Sequence, residues 1–282
     1  MANKRSTRSR IGNGAAFLFL LLMGAFIILP IYYNIINAFK PIGELFLFPP
    51  RFFVYRPTLS NFVDLLRAQT QSLVPAERYV FNSVFLTVVS TAVYVLIASM
   101  AAFPLAKHRF PGKQIVTRGI VFAILFRPEV TALPQYMLMA KLGILDTFLA
   151  LLLPLLAGSF GVFLMMQFMS SLPDDILEAA QIDGAGEKYA FFRIVLPCVK
   201  PALLTLTIFT FVSSWATTGS TFIYSEQLKL LPTMIAQLGS AGLMNAGIAA
   251  AGTVVLMLPP ILVFVFCQGS VIETMTYSGI KS

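Results

Sequence analysis

Residues 14–36 form an apolar run with no charged side chain. Five more long apolar stretches follow, at Tyr79–Leu105, Ile115–Met139, Phe148–Met169, Pro201–Ile223 and Ala249–Gln268. About 20 residues of helix cross a bilayer, and in lipid the backbone must satisfy its own hydrogen bonds. The pattern therefore predicts an all-α, polytopic integral membrane protein with six transmembrane helices. Composition agrees: 57 % of residues are hydrophobic and 11 % charged, against about 25 % charged in soluble domains. A water-soluble globule and a disordered chain are both excluded. The first run is longer than the roughly 7–15 residues of a signal-peptide core and lacks an A-x-A-like cleavage site, so it reads as a retained span.

The net charge of +8 fits basic residues marking the cytoplasmic side of a membrane protein. With the N-terminus inside, the inner segments hold 12 of the 20 Lys and Arg, the outer segments 7, and Arg127 lies within a span. Both termini are thus expected in the cytoplasm. Cys198 and Cys267 read as packing residues rather than a disulfide framework, and His108 as part of a solvated basic turn, Lys107–Gln114. Three regions are expected: 1–78, a tail, first helix and outer loop; 79–275, a core of five helices with an inner loop at 170–200; and 276–282, a short tail.

That inner loop carries Asp174, Asp175, Glu178, Asp183 and Glu187, which a positive-inside bias does not explain. Ser170 or Ser171 can cap a helix whose first turn holds Pro173. Asp174 and Asp175 then lie at the positive end of its dipole. Ile176, Leu177, Ala180 and Gln181 repeat at helical spacing, and Gly184 supplies a left-handed C-cap. A second short helix, roughly Glu187–Val195, stops at Pro197. Two short helices at a sharp angle would make a cytoplasmic knob.

The spacing Glu178-Ala179-Ala180, Gly184, then Ile194-Val195-Leu196-Pro197 closely resembles the EAA loop of ATP-binding-cassette importer permeases. Asp183-Gly184-Ala185, Phe39-Lys40-Pro41, Phe48-Pro49-Pro50, Arg109-Phe110-Pro111-Gly112, Lys141-Leu142-Gly143 and Gly279-Ile280-Lys281 resemble the maltose-type, carbohydrate-uptake branch. The resemblance runs over nearly the whole chain. It implies the type I ABC importer permease fold and a bacterial inner-membrane location. It also implies a loop, centred on Glu178, Ala179, Ala180, Asp183 and Gly184, that docks on an ATPase. The implied partners are a second related permease (a heterodimer), two ATPase subunits, an external solute-binding protein and the lipid bilayer. ATP and Mg would belong to the ATPase, with no cofactor in this chain. The sequence has no G-x-x-x-x-G-K-[ST], H-E-x-x-H or G-x-S-x-G, so ATP hydrolysis is expected elsewhere.

Polar residues inside spans mark the candidate pathway. Ser83, Thr87, Ser90 and Tyr94 share one helical face of the second span; Thr207, Thr210, Ser214, Thr217 and Thr221 share one of the fifth. A wet, sugar-passing cavity and helix–helix packing both account for these stripes. Arg127 and Glu129 lie near mid-membrane, about 14 Å past Arg118. Pro128 turns Arg127 away from helical geometry. Two readings are open: contact with solute, or an ion pair with each other or with a partner. Trp215 matches the Trp of a Ser-Trp-Asn pattern of the branch, but Ala216 replaces the Asn; its ring either stacks on a sugar or packs. Residues 238–247 are small and are expected to reach the binding protein, with Gly239, Gly242 and Asn245 in contact. A stand-alone secondary transporter has no use for the EAA spacing, and a membrane enzyme lacks its catalytic set. An importer of glycerol phosphate or a polyol stays open.

Overall fold

The computed structural model describes residues 7–67 and 74–279. The described residues are helical or irregular, with no strand. In order, the elements are α1 (Thr7–Phe39), α2 (Ile42–Leu45), α3 (Ser60–Arg67), α4 (Ala76–Lys107), α5 (Lys113–Ile124), α6 (Pro128–Lys141), α7 (Phe148–Leu156) and α8 (Ser159–Ser170). They continue with α9 (Asp175–Ile182), α10 (Glu187–Tyr189), a π-helical segment Ala190–Val195, α11 (Leu196–Cys198), α12 (Lys200–Trp215), α13 (Leu231–Ser240) and α14 (Ala246–Gly279). Among the described residues four helices are long and apolar enough to cross a membrane: Ala16–Phe39, Ala76–Lys107, Phe148–Ser170 and Leu243–Gly269. A fifth crossing exists if Glu187–Cys198 and Lys200–Trp215, bent by 79°, count as one. The expected third span is instead divided into α5 and α6, neither of which reaches spanning length.

The chain forms two compact units, Met1–Ala68 with Ile235–Val255, and Gln69–Met234 with Leu256–Ser282. In the first, α1 from Ala16 onward is apolar enough to cross a membrane, with Phe17, Leu20 and Phe26 exposed, as suits a helix surrounded by lipid. Only its end is buried, where Ala38 packs with Ala250 and Ala251. The loop after α1 is folded rather than slack. Buried Lys40 donates to Asn37 Oδ1 at 3.0 Å and to the Arg51 carbonyl at 2.6 Å. Glu44 accepts the backbone N–H groups of Tyr55 and Arg56. Asn61 donates to the carbonyls of Ala38 and Lys40, and a Cβ on Gly247 would lie 2.7 Å from its side-chain oxygen.

In the second unit α4 is the central post. It packs on α7, α8 and α12 through a core of Tyr94, Ala98, Ala102, Met165, Met169, Val195, Val199 and Leu206. Small residues on α4 permit the close approach. The α7–α8 span is broken at Ala157–Gly158, and the break is closed by Tyr94. Its hydroxyl donates to the Gly158 carbonyl at 2.7 Å and accepts the Gly161 N–H at 2.8 Å. A Cβ on Gly161 would sit 2.5 Å from that hydroxyl, so only glycine fits.

Candidate functional site

The loop between α8 and α12 forms the expected knob, with one change at its start. The N-cap of α9 is Asp174, not Ser170 or Ser171, and it makes no capping hydrogen bond. Its carboxylate is taken by Lys107, at 2.6 Å, whose ammonium also donates to the Leu172 carbonyl at 2.5 Å. The Lys107 side chain is 4 % exposed, so the end of α4 is fastened to the start of the knob. This hydrogen bond and charge hold the Asp174 carboxyl below the usual carboxylate range. His108 of the same basic turn is half-exposed, 3.8 Å from Glu187 and edge-on to Phe103.

At its other end, α9 closes on Gly184, whose φ is +83°. The Ala185 N–H bonds the Ala180 carbonyl at 2.9 Å and the Gly184 N–H bonds the Gln181 carbonyl at 3.0 Å. That pair of bonds is a Schellman motif, which satisfies the last carbonyls of the helix. Ala180 faces inward, while Glu178, Ala179, Asp183 and Gly184 are exposed. Ile182, 86 % exposed, stands beside them. The second helix becomes π-helical from Ala190 to Val195, then ends at Cys198, which is exposed rather than packed.

Arg127 lies at the break between α5 and α6, in extended geometry (φ −77°, ψ 147°), and Pro128 opens α6. Arg127 and Glu129 are both exposed. Among the described residues neither has an ion-pair partner, so the direct pair between them is not formed.

The hydroxyl stripes meet each other. Ser90 Oγ lies 3.1 Å from Ser214 Oγ, and Thr87, Tyr94, Thr210 and Ser214 are buried. Trp215 is buried as well: it donates to the Leu256 carbonyl at 2.9 Å and stacks on Phe211. Ser90, Thr87, Tyr94, Thr210, Ser214 and Trp215 are thus all buried between helices of this chain. Thr217 and Thr221 lie past the end of α12, so the helical stripe stops at Ser214. Gly239 and Gly242 are exposed and Asn245 is half-buried. Residues 238–247 include the end of α13 and a single 3-10 turn, Leu243–Asn245, giving more order than a bare flexible loop.

One cluster escaped the sequence reading. Asp146 has a φ of +59°. It accepts the N–H groups of Tyr224 at 2.9 Å and Ser225 at 2.8 Å, and the Ser225 hydroxyl. The Ser225 hydroxyl and these N–H groups hold its carboxyl below the usual range. Tyr224 in turn donates to the Tyr136 hydroxyl at 2.9 Å. The available signal was weak: Asp tolerates left-handed backbone, and its partners lie far along the chain. Nearby, Tyr79 bonds Glu226, Asn82 bonds the Gln227 and Lys229 carbonyls, and Ser83 accepts the Leu231 N–H.

A likeness to solved structures fits this arrangement. A chain of a bacterial ABC transporter involved in the import of the acidic polysaccharide alginate superposes with a TM-score of 0.82 at 20 % identity, over 95 % of this chain and 99 % of that one. The fold is thus that of a type I ABC importer permease. The family described as binding-protein-dependent transport system inner membrane component matches residues 14–273. Protein LplC of Bacillus subtilis is 30 % identical over 96 % of this chain and 95 % of its own length. The arabinooligosaccharides transport system permease AraQ of Bacillus subtilis is 27 % identical over 95 % of each. The chain belongs to the binding-protein-dependent transport permease family.

Proposed function

We propose that this chain is one of two permease subunits of an importer that moves a sugar or oligosaccharide across the bacterial cytoplasmic membrane. The observation that carries the reading is the exposed, glycine-capped knob, with Glu178, Ala179, Asp183 and Gly184 on its outer side. The carbohydrate class is supported by the relative named for arabinooligosaccharides and the structural neighbour that imports alginate. Six crossings follow if α5 and α6 together make one: their 12 and 14 residues span about 18 and 21 Å, each short of a core about 30 Å thick. Both termini are then cytoplasmic, as is the knob, while residues 224–248 lie outside.

In this assignment Glu178, Ala179, Ala180, Asp183 and Gly184 couple the chain to a partner ATPase, which holds ATP and Mg; this chain holds no cofactor and hydrolyses nothing. A second, related permease completes the pathway as a heterodimer. Arg127 and Glu129 face that pathway, and Thr87, Tyr94, Thr210, Ser214 and Trp215 shape its wall from behind. Gly239, Gly242 and Asn245 approach the external binding protein. The test is co-purification with an ATPase subunit and uptake of a panel of neutral and acidic oligosaccharides. Glu178→Lys and Gly184→Pro should abolish uptake with the chain still in the membrane. Normal uptake by both variants sinks the coupling assignment; a wild-type importer that moves no oligosaccharide sinks the carbohydrate one.

A further inference from the structure

Three features of the second unit converge on one spot. Tyr224 is 56 % exposed, although its hydroxyl is spent on Tyr136. Asp146 adopts a left-handed backbone, and its carboxylate accepts the two N–H groups that flank the Tyr224 carbonyl as well as the Ser225 hydroxyl. Such outliers persist where the surroundings over-determine them, and they cluster at ligand clamps. Anchoring a loop needs no open aromatic ring; presenting a ring in a fixed orientation does. The third feature is register. Tyr136 follows Glu129 by seven residues on α6, close to two full turns, so both lie on one face about 10.5 Å apart along the axis. Ala132 and Leu133 fill the interval on that face.

That face thus offers, from outside inward, a pair of hydrogen-bonded phenols, a short apolar step and a carboxylate. A sugar ring matches such a surface. Its axial C–H face is apolar and stacks on an aromatic ring, and its equatorial hydroxyls pair with phenol and carboxylate. Tyrosine supplies both halves of the match, an apolar body with a polar tip. A purely apolar lipid contact would leave Glu129 and the proton of the Tyr136 hydroxyl without use, since the Tyr224 hydroxyl donates to Tyr136.

We propose that Tyr136 and Tyr224 form a carbohydrate-binding subsite at the outer end of α6, which hands the sugar toward Glu129. The proposal rests on the carbohydrate-importer reading and names where that sugar first meets the permease. Asp146 is a positioning residue, acting through Tyr224.

The experiment places the photo-cross-linker p-benzoylphenylalanine at Tyr136, at Tyr224 or, as a control, at exposed Tyr55. The complete importer, with its binding protein, is then illuminated during turnover with whichever tritiated oligosaccharide of the panel it transports. Tritium is expected on the permease at Tyr136 and Tyr224 and not at Tyr55. With the cross-linker at Tyr136, Tyr224→Phe should raise the half-saturating sugar concentration for capture about threefold to tenfold, the loss of one hydrogen bond. Asp146→Asn should lower capture with the complex still assembled. Capture of the partner permease in place of sugar overturns the proposal, as does no capture at either position while transport proceeds. If the importer moves no oligosaccharide at all, the carbohydrate reading falls and the subsite with it.

Discussion

Removing a single oxygen atom tests the keystone of the membrane core. Tyr94→Phe keeps the ring and deletes the hydroxyl that joins Gly158 to Gly161. The Gly161 N–H is among the first four of α8, which have no helical carbonyl to bond. Leaving it orphaned away from water costs about 1–3 kcal/mol. The Gly158 carbonyl, as N-cap, keeps its first intrahelical bond, so its loss is nearer a net hydrogen bond, about 1 kcal/mol. The sum, about 2–4 kcal/mol, corresponds to a fall in melting temperature on the order of 3–7 °C for a chain of this size. The assay is heating of the purified importer, followed by size-exclusion chromatography of what stays assembled. Gly161→Ala should also destabilise, because its Cβ would lie 2.8 Å from two ring carbons as well as 2.5 Å from the hydroxyl. Combining it with Tyr94→Ala should therefore cost less than the sum of the two single changes, by roughly 0.5–3 kcal/mol. A Tyr94→Phe importer that melts with the wild type would refute the hydrogen-bond account, and strict additivity would refute the steric one.

Three further outcomes follow from the geometry. Because the Asp174 carboxyl is depressed in the folded chain, it contributes stability above its ordinary pKa that is lost as pH falls through the depressed value. Protection factors over residues 172–178, that is exchange corrected for its intrinsic pH dependence, should therefore hold steady from neutral pH to about pH 5 and fall at pH values below the ordinary carboxylate range of about 4, whereas Lys107→Met should lower them already at neutral pH. Gly184→Val forces a β-branched residue into left-handed backbone at a cost of about 1–2 kcal/mol, and should reduce transport-coupled ATP hydrolysis more than membrane level on immunoblot. Arg127→Gln, Glu129→Gln and the double change should each leave the complex assembled, since no pair is broken, and shift uptake among several sugars; lost assembly in one single variant, rescued in the double, would restore the ion-pair reading.

How much of this was legible in the sequence depended on whether the cause was local. Gly184 followed by Ala185 after an amphipathic turn is a local instruction, and the left-handed cap formed where it pointed. The run Tyr79–Leu105 lies inside α4, overshot by only a few residues at each end, since hydropathy sets its length. The break beside Arg127 was carried by Pro128. The fifth span was read too long because a three-four spacing of hydroxyls continues to Thr221, while Thr217, Thr218, Gly219 and Ser220 are poor helix formers and the helix ends at Trp215. Lys40 counted as a surface charge, yet the Arg51 carbonyl and Asn37 enclose it. Asp146 meets Ser225 only after α7 through α12 have been placed. Trp215, matched to a motif, is buried because α14 offers it the Leu256 carbonyl, a partner no spacing announces.

The fastening of Lys107 to Asp174 has a mechanical consequence. The knob is held at its start, covalently by α8 and ionically by the end of α4, and at its far end covalently at Val199, the buried residue between the two arms of the 79° bend. Because the α8 joint and the ionic pin lie together at Leu172–Asp174, a stiff body fixed at these two ends retains chiefly one motion, rotation about the line between them. A push on the exposed side of α9 therefore becomes torque on α4 and α12, which pack along each other. Cutting the ionic pin would leave the knob joined to α4 mainly through apolar contacts such as Phe103 with Phe191, so that the same push would turn α4 less.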